Sequence, residues 1–179
     1  LSVSLDMTHP QAREIAYQLV RTSDVVIDNF SYGVMQKWGM GYDALMVAVP
    51  PYSRPNQREL LAHYEAVAKA VKIPIVLYNF PWRAGTEVSY EVMDGLTKYD
   101  HIIGIKEASG DMSRVYEFRL RYGDRYQMIC GSDDQALDYF LWGTTSWIGG
   151  AASCAPLEHH NVLEAALAND FVTARKHMD

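Results

Sequence analysis

Two side chains in this sequence are placed where they could do chemistry together. The first is the lysine in Ile102-Ile103-Gly104-Ile105-Lys106-Glu107-Ala108, an apolar run that ends on a cation. Lysine is almost never buried without a partner, so its place at the end of such a strand asks for a cause. One cause is a tuned amine: in a desolvated pocket the neutral form gains, and a fall from about 10.4 to roughly 7 or 8 makes the nitrogen a nucleophile toward carbonyl carbon. Such a shift costs roughly 4 kcal/mol, a large share of a marginal stability. The alternative is a strand-end lysine whose stem lies on apolar surface while its head reaches water.

The second side chain is Tyr78, about 28 residues upstream in Pro74-Ile75-Val76-Leu77-Tyr78-Asn79-Phe80-Pro81. This run also reads as a buried parallel strand closing on polar groups. Tyr78 and Lys106 would then sit at the same ends of neighbouring strands, which is the rim where (β/α) barrels gather their catalytic residues. A phenol beside an amine suits imine chemistry, because carbinolamine formation and collapse need protons moved at one carbon. Taken alone, a tyrosine such as Tyr78 is more commonly a core aromatic with its hydroxyl satisfied.

The elements needed to hold such a pair follow in regular order. Asn56 with Glu59 reads as a capping box opening a helix through Leu60, Leu61, Tyr64, Val67, Ala68 and Val71. Ser89 opens a second helix on Val92, Met93 and Leu96, and Gly110-Asp111 a third through Val115 and Phe118. Strands are expected at Ala44 to Val49, up to Tyr78, up to Lys106, at Tyr126 to Cys130, and at the Gly-rich Ser146 to Ala151. A helix from Gln135 to Trp142 lies between the last two, and Pro156 starts a terminal one. Alternating strands and helices predict an α/β chain with a parallel sheet covered by helices. Ahead of them, Val3-Ser4-Leu5, a helix around Ala12 to Arg21 and Asp24 to Phe30 read as a βαβ unit, followed by a short helical piece from Val34 to Trp38.

Composition narrows the function classes. With 179 residues, 49% of them hydrophobic, the chain has material for a packed core. A net charge of -6 and a pI near 5.5 argue against a sequence-independent grip on nucleic acid or an anionic membrane. No run approaches the roughly 18 apolar residues of a membrane span, and no basic leader opens the chain, so a cytoplasmic protein is expected. Cys130 and Cys154 read as free buried thiols, and the six histidines show no metal-ligand spacing. The absence of an initiating Met and a last segment that stops in mid-helix predict a piece cut at both ends.

Residues 43 to 179 resemble the dihydrodipicolinate synthase and N-acetylneuraminate lyase family, Schiff-base lyases and synthases on a (β/α)8 barrel. The motifs are Pro50-Pro51-Tyr52-Ser53-Arg54-Pro55, Tyr78 to Gly85, Gly104 to Asp111, Gly131-Ser132-Asp133 and the Gly143 to Pro156 segment. The resemblance implies that Lys106 forms an imine with pyruvate or a related 2-oxo acid while Tyr78 shuttles protons. It implies that Arg83 holds a substrate carboxylate and that Gly131 and Ile148 line the pocket. Tyr52 would match the tyrosine that members lend to a neighbouring subunit, although one tyrosine stands here where a pair is usual. Ser153 stands where many members have Asn after the last strand, and Trp82 where smaller residues are common. A homo-oligomer is the family habit, with no cofactor.

The opening is similar to class III CoA-transferases over about the first 45 residues, through Asp24 to Phe30, Gly33 and Gly39-Met40-Gly41-Tyr42-Asp43-Ala44-Leu45. That resemblance would put CoA contacts on Asn29, Phe30 and Lys37. Ser31-Tyr32 replaces the usual Arg-Pro, and the family's nucleophilic aspartate lies downstream of the matching stretch, so transfer chemistry is not expected. Together these predict the last five strands of a partial (β/α)8 TIM barrel over 46–179, preceded by a βαβ fragment over 1–45. The two patterns meet at shared letters, Asp43-Ala44-Leu45, as in a fusion or a chimera of two fragments. Three functions stay open: a Schiff-base carbon-carbon lyase or synthase, a non-catalytic fragment that keeps the motifs, and a CoA-binding remnant.

Overall fold

The computed structural model describes residues 9–21 and 44–178. The chain divides into two compact units, Leu1–Asp43 and Ala44–Asp179. In the first, α1 spans Pro10–Arg21, with the ring of Pro10 at the first turn, where a missing N–H is harmless. The strands expected at Val3 to Leu5 and Asp24 to Phe30, and the helical piece at Val34 to Trp38, lie outside the described residues.

The second unit is a four-stranded parallel sheet in sequence order, β1 (Leu45–Ala48), β2 (Ile75–Asn79), β3 (Ile102–Glu107) and β4 (Gln127–Cys130). Parallel neighbours need crossovers, and helices supply them. Between β1 and β2 runs α2 (Gln57–Ala70), opened by the expected capping box: Asn56 Oδ1 accepts from Glu59 N, and Glu59 Oε2 accepts from Asn56 N, each at 3.0 Å. A short α3 (Pro81–Ala84) and α4 (Tyr90–Leu96), capped by Ser89, join β2 to β3. Asp111 caps α5 (Met112–Tyr122), which leads to β4. A 3-10 turn at Asp133–Gln135 leads into α6 (Ala136–Leu141), and after a second 3-10 turn at Ala151–Ser153 come α7 (Pro156–Leu167) and α8 (Phe171–Met178).

Burial separates the two faces of the sheet. Ile75, Leu77, Ile102 and Ile105 are fully buried against Leu60, Tyr64, Val92, Met93 and Phe118 of the covering helices. A second cluster joins Cys130 to Tyr139, Phe140, Val162, Ala166 and Ala174. Ile102 and Ile105 are three apart, an odd separation that a regular strand would place on opposite faces. A bulge reconciles them. Ile75 pairs with Ile102 but Val76 pairs with Gly104, so Ile103 is the extra residue, and it is left exposed.

The fifth expected strand, Ser146 to Ala151, is reduced to one bridge. Trp147 pairs with Cys130, Cys130 N donates to Ser146 O, and Ile148 N donates to Cys130 O, both at 2.9 Å. Pairing then stops because Gly150 N and Ala151 N donate to Asp133 Oδ2 instead, and a Cβ on Gly149 would run into the Asp133 carboxylate. A second correction concerns the thiols: Cys130 is buried as expected, but Cys154 is exposed, since it caps the Ala151–Ser153 turn at the surface.

Candidate active site

The bulge decides what faces what. Counting on from Ile75 and Ile102 without it would set Tyr78 opposite Ile105; with it, Tyr78 pairs with Lys106 and Asn79 with Glu107. Both Tyr78 and Lys106 therefore point away from the helix-side core, and the Lys106 ammonium nitrogen lies 4.2 Å from the centre of the Tyr78 ring. A cation against an aromatic face is held by the ring quadrupole as well as by contact. The Tyr78 ring in turn stacks on Phe80, with centroids 5.6 Å apart.

Electrostatics push the two groups in complementary directions. Burial lowers the Lys106 pKa below the ordinary lysine value, with the negative charge of Asp133 and the Cys130 sulfur opposing it. Burial raises the Tyr78 phenol, which the Arg83 cation partly offsets. The pair therefore holds an amine with an enlarged neutral fraction beside a hydroxyl that keeps its proton. Cys130 is pushed up to about 12 by burial and is no nucleophile at neutral pH.

Gly131 stands against this lysine. A Cβ there would meet Glu107 O at 2.8 Å, Ala108 Cβ at 2.9 Å and Lys106 Cε at 3.0 Å, so only glycine lets the lysine stem pass. Ile148, half-buried, joins the same strand end through its bond to Cys130 O. Asp133, half-buried beyond Gly131, is fixed by Trp147 Nε1 at 3.0 Å and by the two backbone donors already described. Arg83 is exposed on α3, and Trp82 beside it is 81% exposed with its indole N–H donating to Ser109 O.

Tyr52 is not gathered into this group. It is 98% exposed in a turn, at a φ of 69°, so its own chain does not enclose it. Asn29, Phe30 and Lys37 lie outside the described residues. A cleft of about 570 Å³ opens elsewhere, lined by Asp100, Arg119, Asp124, Arg125, Gln127 and Thr144 near the starts of β3 and β4, and holds none of the expected site residues. Among the described residues no helix is long and apolar enough to cross a membrane.

Reading the sequence for reactive groups missed a buried charge directly behind the pair. Glu107 is 1% exposed, and its carboxylate accepts from Asn79 Nδ2, from Ser109 N at 2.7 Å and from Arg114 Nε at 2.9 Å. Arg114 also bridges Glu87 at 2.7 Å and donates to Val88 O. The available signal was the one used for Lys106, an ionisable residue in an apolar strand, with an arginine seven positions on.

The parallel sheet with helices outside it is the α/β architecture of a partial barrel, and the comparisons agree with that class. Residues 35–179 match the model of the dihydrodipicolinate synthetase family, and residues 1–51 match that of CoA-transferase family III. Among curated relatives, the 4-hydroxy-tetrahydrodipicolinate synthase of Exiguobacterium sibiricum is 42% identical over 137 residues, covering 76% of this chain and 47% of that protein. The corresponding synthase of Phenylobacterium zucineum is 38% identical over 78% of this chain and 48% of its own length. The crystal structure of dihydrodipicolinate synthase from Aquifex aeolicus superposes with a TM-score of 0.74 at 33% identity, covering 78% of this chain and 48% of that one. The pyruvate complex of the synthase from Acinetobacter baumannii gives 0.79 at 27% identity, over 98% of this chain and 63% of that one. This chain belongs to the dihydrodipicolinate synthetase family and carries part of that family's barrel. It spans about half the length of the curated relatives it matches.

Proposed function

We propose that residues 44–179 carry the imine-forming centre of a carbon-carbon lyase or synthase acting on pyruvate or a related 2-oxo acid. The observation that carries this reading is the Lys106 nitrogen lying 4.2 Å from the Tyr78 ring centre at paired strand ends, with the amine held below its ordinary pKa. The neutral amine of Lys106 adds to the keto carbon and forms a C–N bond, giving a carbinolamine. Tyr78, still protonated, gives its proton to the departing hydroxyl, water leaves and the C=N bond forms with the nitrogen keeping its proton; the phenolate then recovers a proton from the carbon next to this iminium. The imine withdraws electrons from the neighbouring carbon, so a carbon-carbon bond there can be made or broken.

Arg83 offers a planar fork for a carboxylate on the second substrate. Gly131 and Ile148 wall the lysine side, and Tyr52, presented outward, is available to a second copy of the chain in a homo-oligomer. The test is incubation with pyruvate, reduction with borohydride and mass analysis. An adduct on the peptide containing Lys106 is expected; an unmodified Lys106 at saturating pyruvate overturns the reading.

A second reading has its own support in the length of the match. A chain that spans about half of its curated relatives could keep the motifs without a closed pocket. Under that reading the protein shows no cooperative melt and no discrete soluble oligomer; finding both removes it.

A further inference from the structure

Behind Tyr78 and Lys106 the two strands are joined a second time. Asn79 and Glu107 are register partners one residue further on, and by strand alternation they face the opposite side. Both are sealed, at 0% and 1% exposure. Asn79 Nδ2 donates to Glu107 Oε1 at 3.0 Å and to Oε2 at 2.9 Å, while Asn79 Oδ1 accepts from Val88 N at 2.9 Å. Glu107 is held in turn by Ser109 N and Arg114 Nε, and its backbone carbonyl accepts from Tyr139 Oη and Gly131 N. The loop before α4, the helices α5 and α6, and the chain just after β4 all tie into this pair.

Such a joint has a particular use beside a bulge. The strands pair in one register at Ile75 and in a register shifted by one at Val76. Continuing the first register would require no bulge but would turn Ile105 away from the helix-side core, so the apolar residues and the polar pair favour the bulge together. A slip of one residue turns a strand over, so Tyr78 and Lys106 would fall on opposite faces. It would also part Glu107 from Asn79 and Arg114 and turn the Lys106 cation into the helix-side core, a large penalty. Buried polar pairs are best attested as register devices of this kind.

We propose that Asn79 and Glu107 are positioning residues: their buried hydrogen-bonded pair locks the bulged register and thereby keeps Tyr78 over Lys106. The proposal rests on the imine reading for its catalytic consequence, but the geometry it asserts concerns only the shelter of the Lys106 amine. The charged and titratable groups facing that amine are Tyr78 from β2, with Arg83 acting on the phenol, Cys130 from the end of β4 and Asp133 from the turn after it.

The experiment is competitive labelling with acetic anhydride across a pH series, read peptide by peptide by mass spectrometry. Lys106 is compared with exposed Lys72 in the same sample. In the intact chain Lys106 titrates below the ordinary lysine value, because burial lowers it. In Asn79→Ala its midpoint rises by about one unit, a tenfold change in neutral amine at fixed pH. Gln57→Ala serves as a control, because Gln57 holds Glu87 O and Ser89 N of the same loop without touching the strand pair. It leaves the Lys106 midpoint in place at whatever loss of Tm it causes. Asn79→Leu keeps the volume and loses the donor should Asn79→Ala fail to fold, and moves the midpoint upward in the same sense. A folded Asn79→Ala or Asn79→Leu chain in which Lys106 titrates as in the intact protein overturns the lock. Pyruvate trapping run in parallel separates the two ideas: a chain that never traps pyruvate loses the lyase reading, while the labelling result decides the lock.

Discussion

A methyl group on Gly131 would stand 3.0 Å from Cε of Lys106, and closer still to the carbonyl oxygen of Glu107. Backbone cannot give way as a flexible side chain can. Gly131→Ala is therefore expected to cost about 1–3 kcal/mol in a denaturant melt, as overpacked sites do. It should also slow borohydride trapping by pyruvate tenfold or more, because the lysine stem is displaced from the Tyr78 ring. Unchanged trapping in a folded variant would show that Gly131 does not position the amine.

Lys106→Met removes the amine and keeps the stem. Because Lys106 is held below its ordinary value, the folded chain binds fewer protons than the unfolded one between the two values, and stability rises with pH through that window. Below the window the cation is a net cost, though water at the half-buried site screens it. The variant should abolish trapping and, near neutral pH, melt no lower than the parent, gaining at most about 1 kcal/mol. The gain should shrink as pH is raised past the lysine's own titration. A loss of Tm at neutral pH would contradict the assignment of Lys106 as a residue kept at the expense of stability.

Arg114→Ala leaves Glu107 buried with Asn79 and Ser109 N but no counter-charge. Removing one partner of a buried ion pair costs about 3–5 kcal/mol. A urea titration should show a loss of that order, and a far smaller one for breaking the exposed Arg121–Asp94 bridge with Arg121→Ala. Equal losses in the two variants would mean that the buried carboxylate is not what Arg114 stabilises.

Arg83→Ala should separate binding from folding. The side chain is exposed, so Tm should move by no more than about 0.5 kcal/mol equivalent. Pyruvate trapping should persist, while the KM of a carboxylate-bearing aldehyde rises tenfold or more. A variant whose KM for such an aldehyde is unchanged places the second carboxylate elsewhere.

Much of this arrangement could be read from the letters. Asn56 with Glu59, Ser89, Asp111 and Pro156 each start a helix for a local reason, and each does so in the structure. Tyr78 and Lys106 were legible as strand ends because an apolar run that stops on a polar residue leaves few other readings, and their pairing follows from the parallel order. Three features depend on tertiary context and were not visible. The bulge at Ile103 appears only when Ile102 and Ile105 must share one buried face. The Asn79–Glu107–Arg114 joint needs residues 28 and 35 apart in sequence to meet. The strand expected from Ser146 to Ala151 ends at Trp147 because Asp133 draws Gly150 and Ala151 away, a long-range competition for backbone donors. Tyr52 read as a site residue through its motif, and the fold leaves it 98% exposed in a turn, apart from the group around Lys106.

The central claim is that Lys106 presents a neutral amine to a 2-oxo acid at moderate pH. The most direct measurement is the pH dependence of pyruvate trapping by borohydride, with the adduct located by peptide mass analysis. The account predicts a single adduct on Lys106 whose formation rises with pH and reaches half its maximum below the ordinary lysine value of 10.5, because burial lowers this amine. An adduct spread over exposed lysines such as Lys72 and Lys176, or none at any pH, would contradict it.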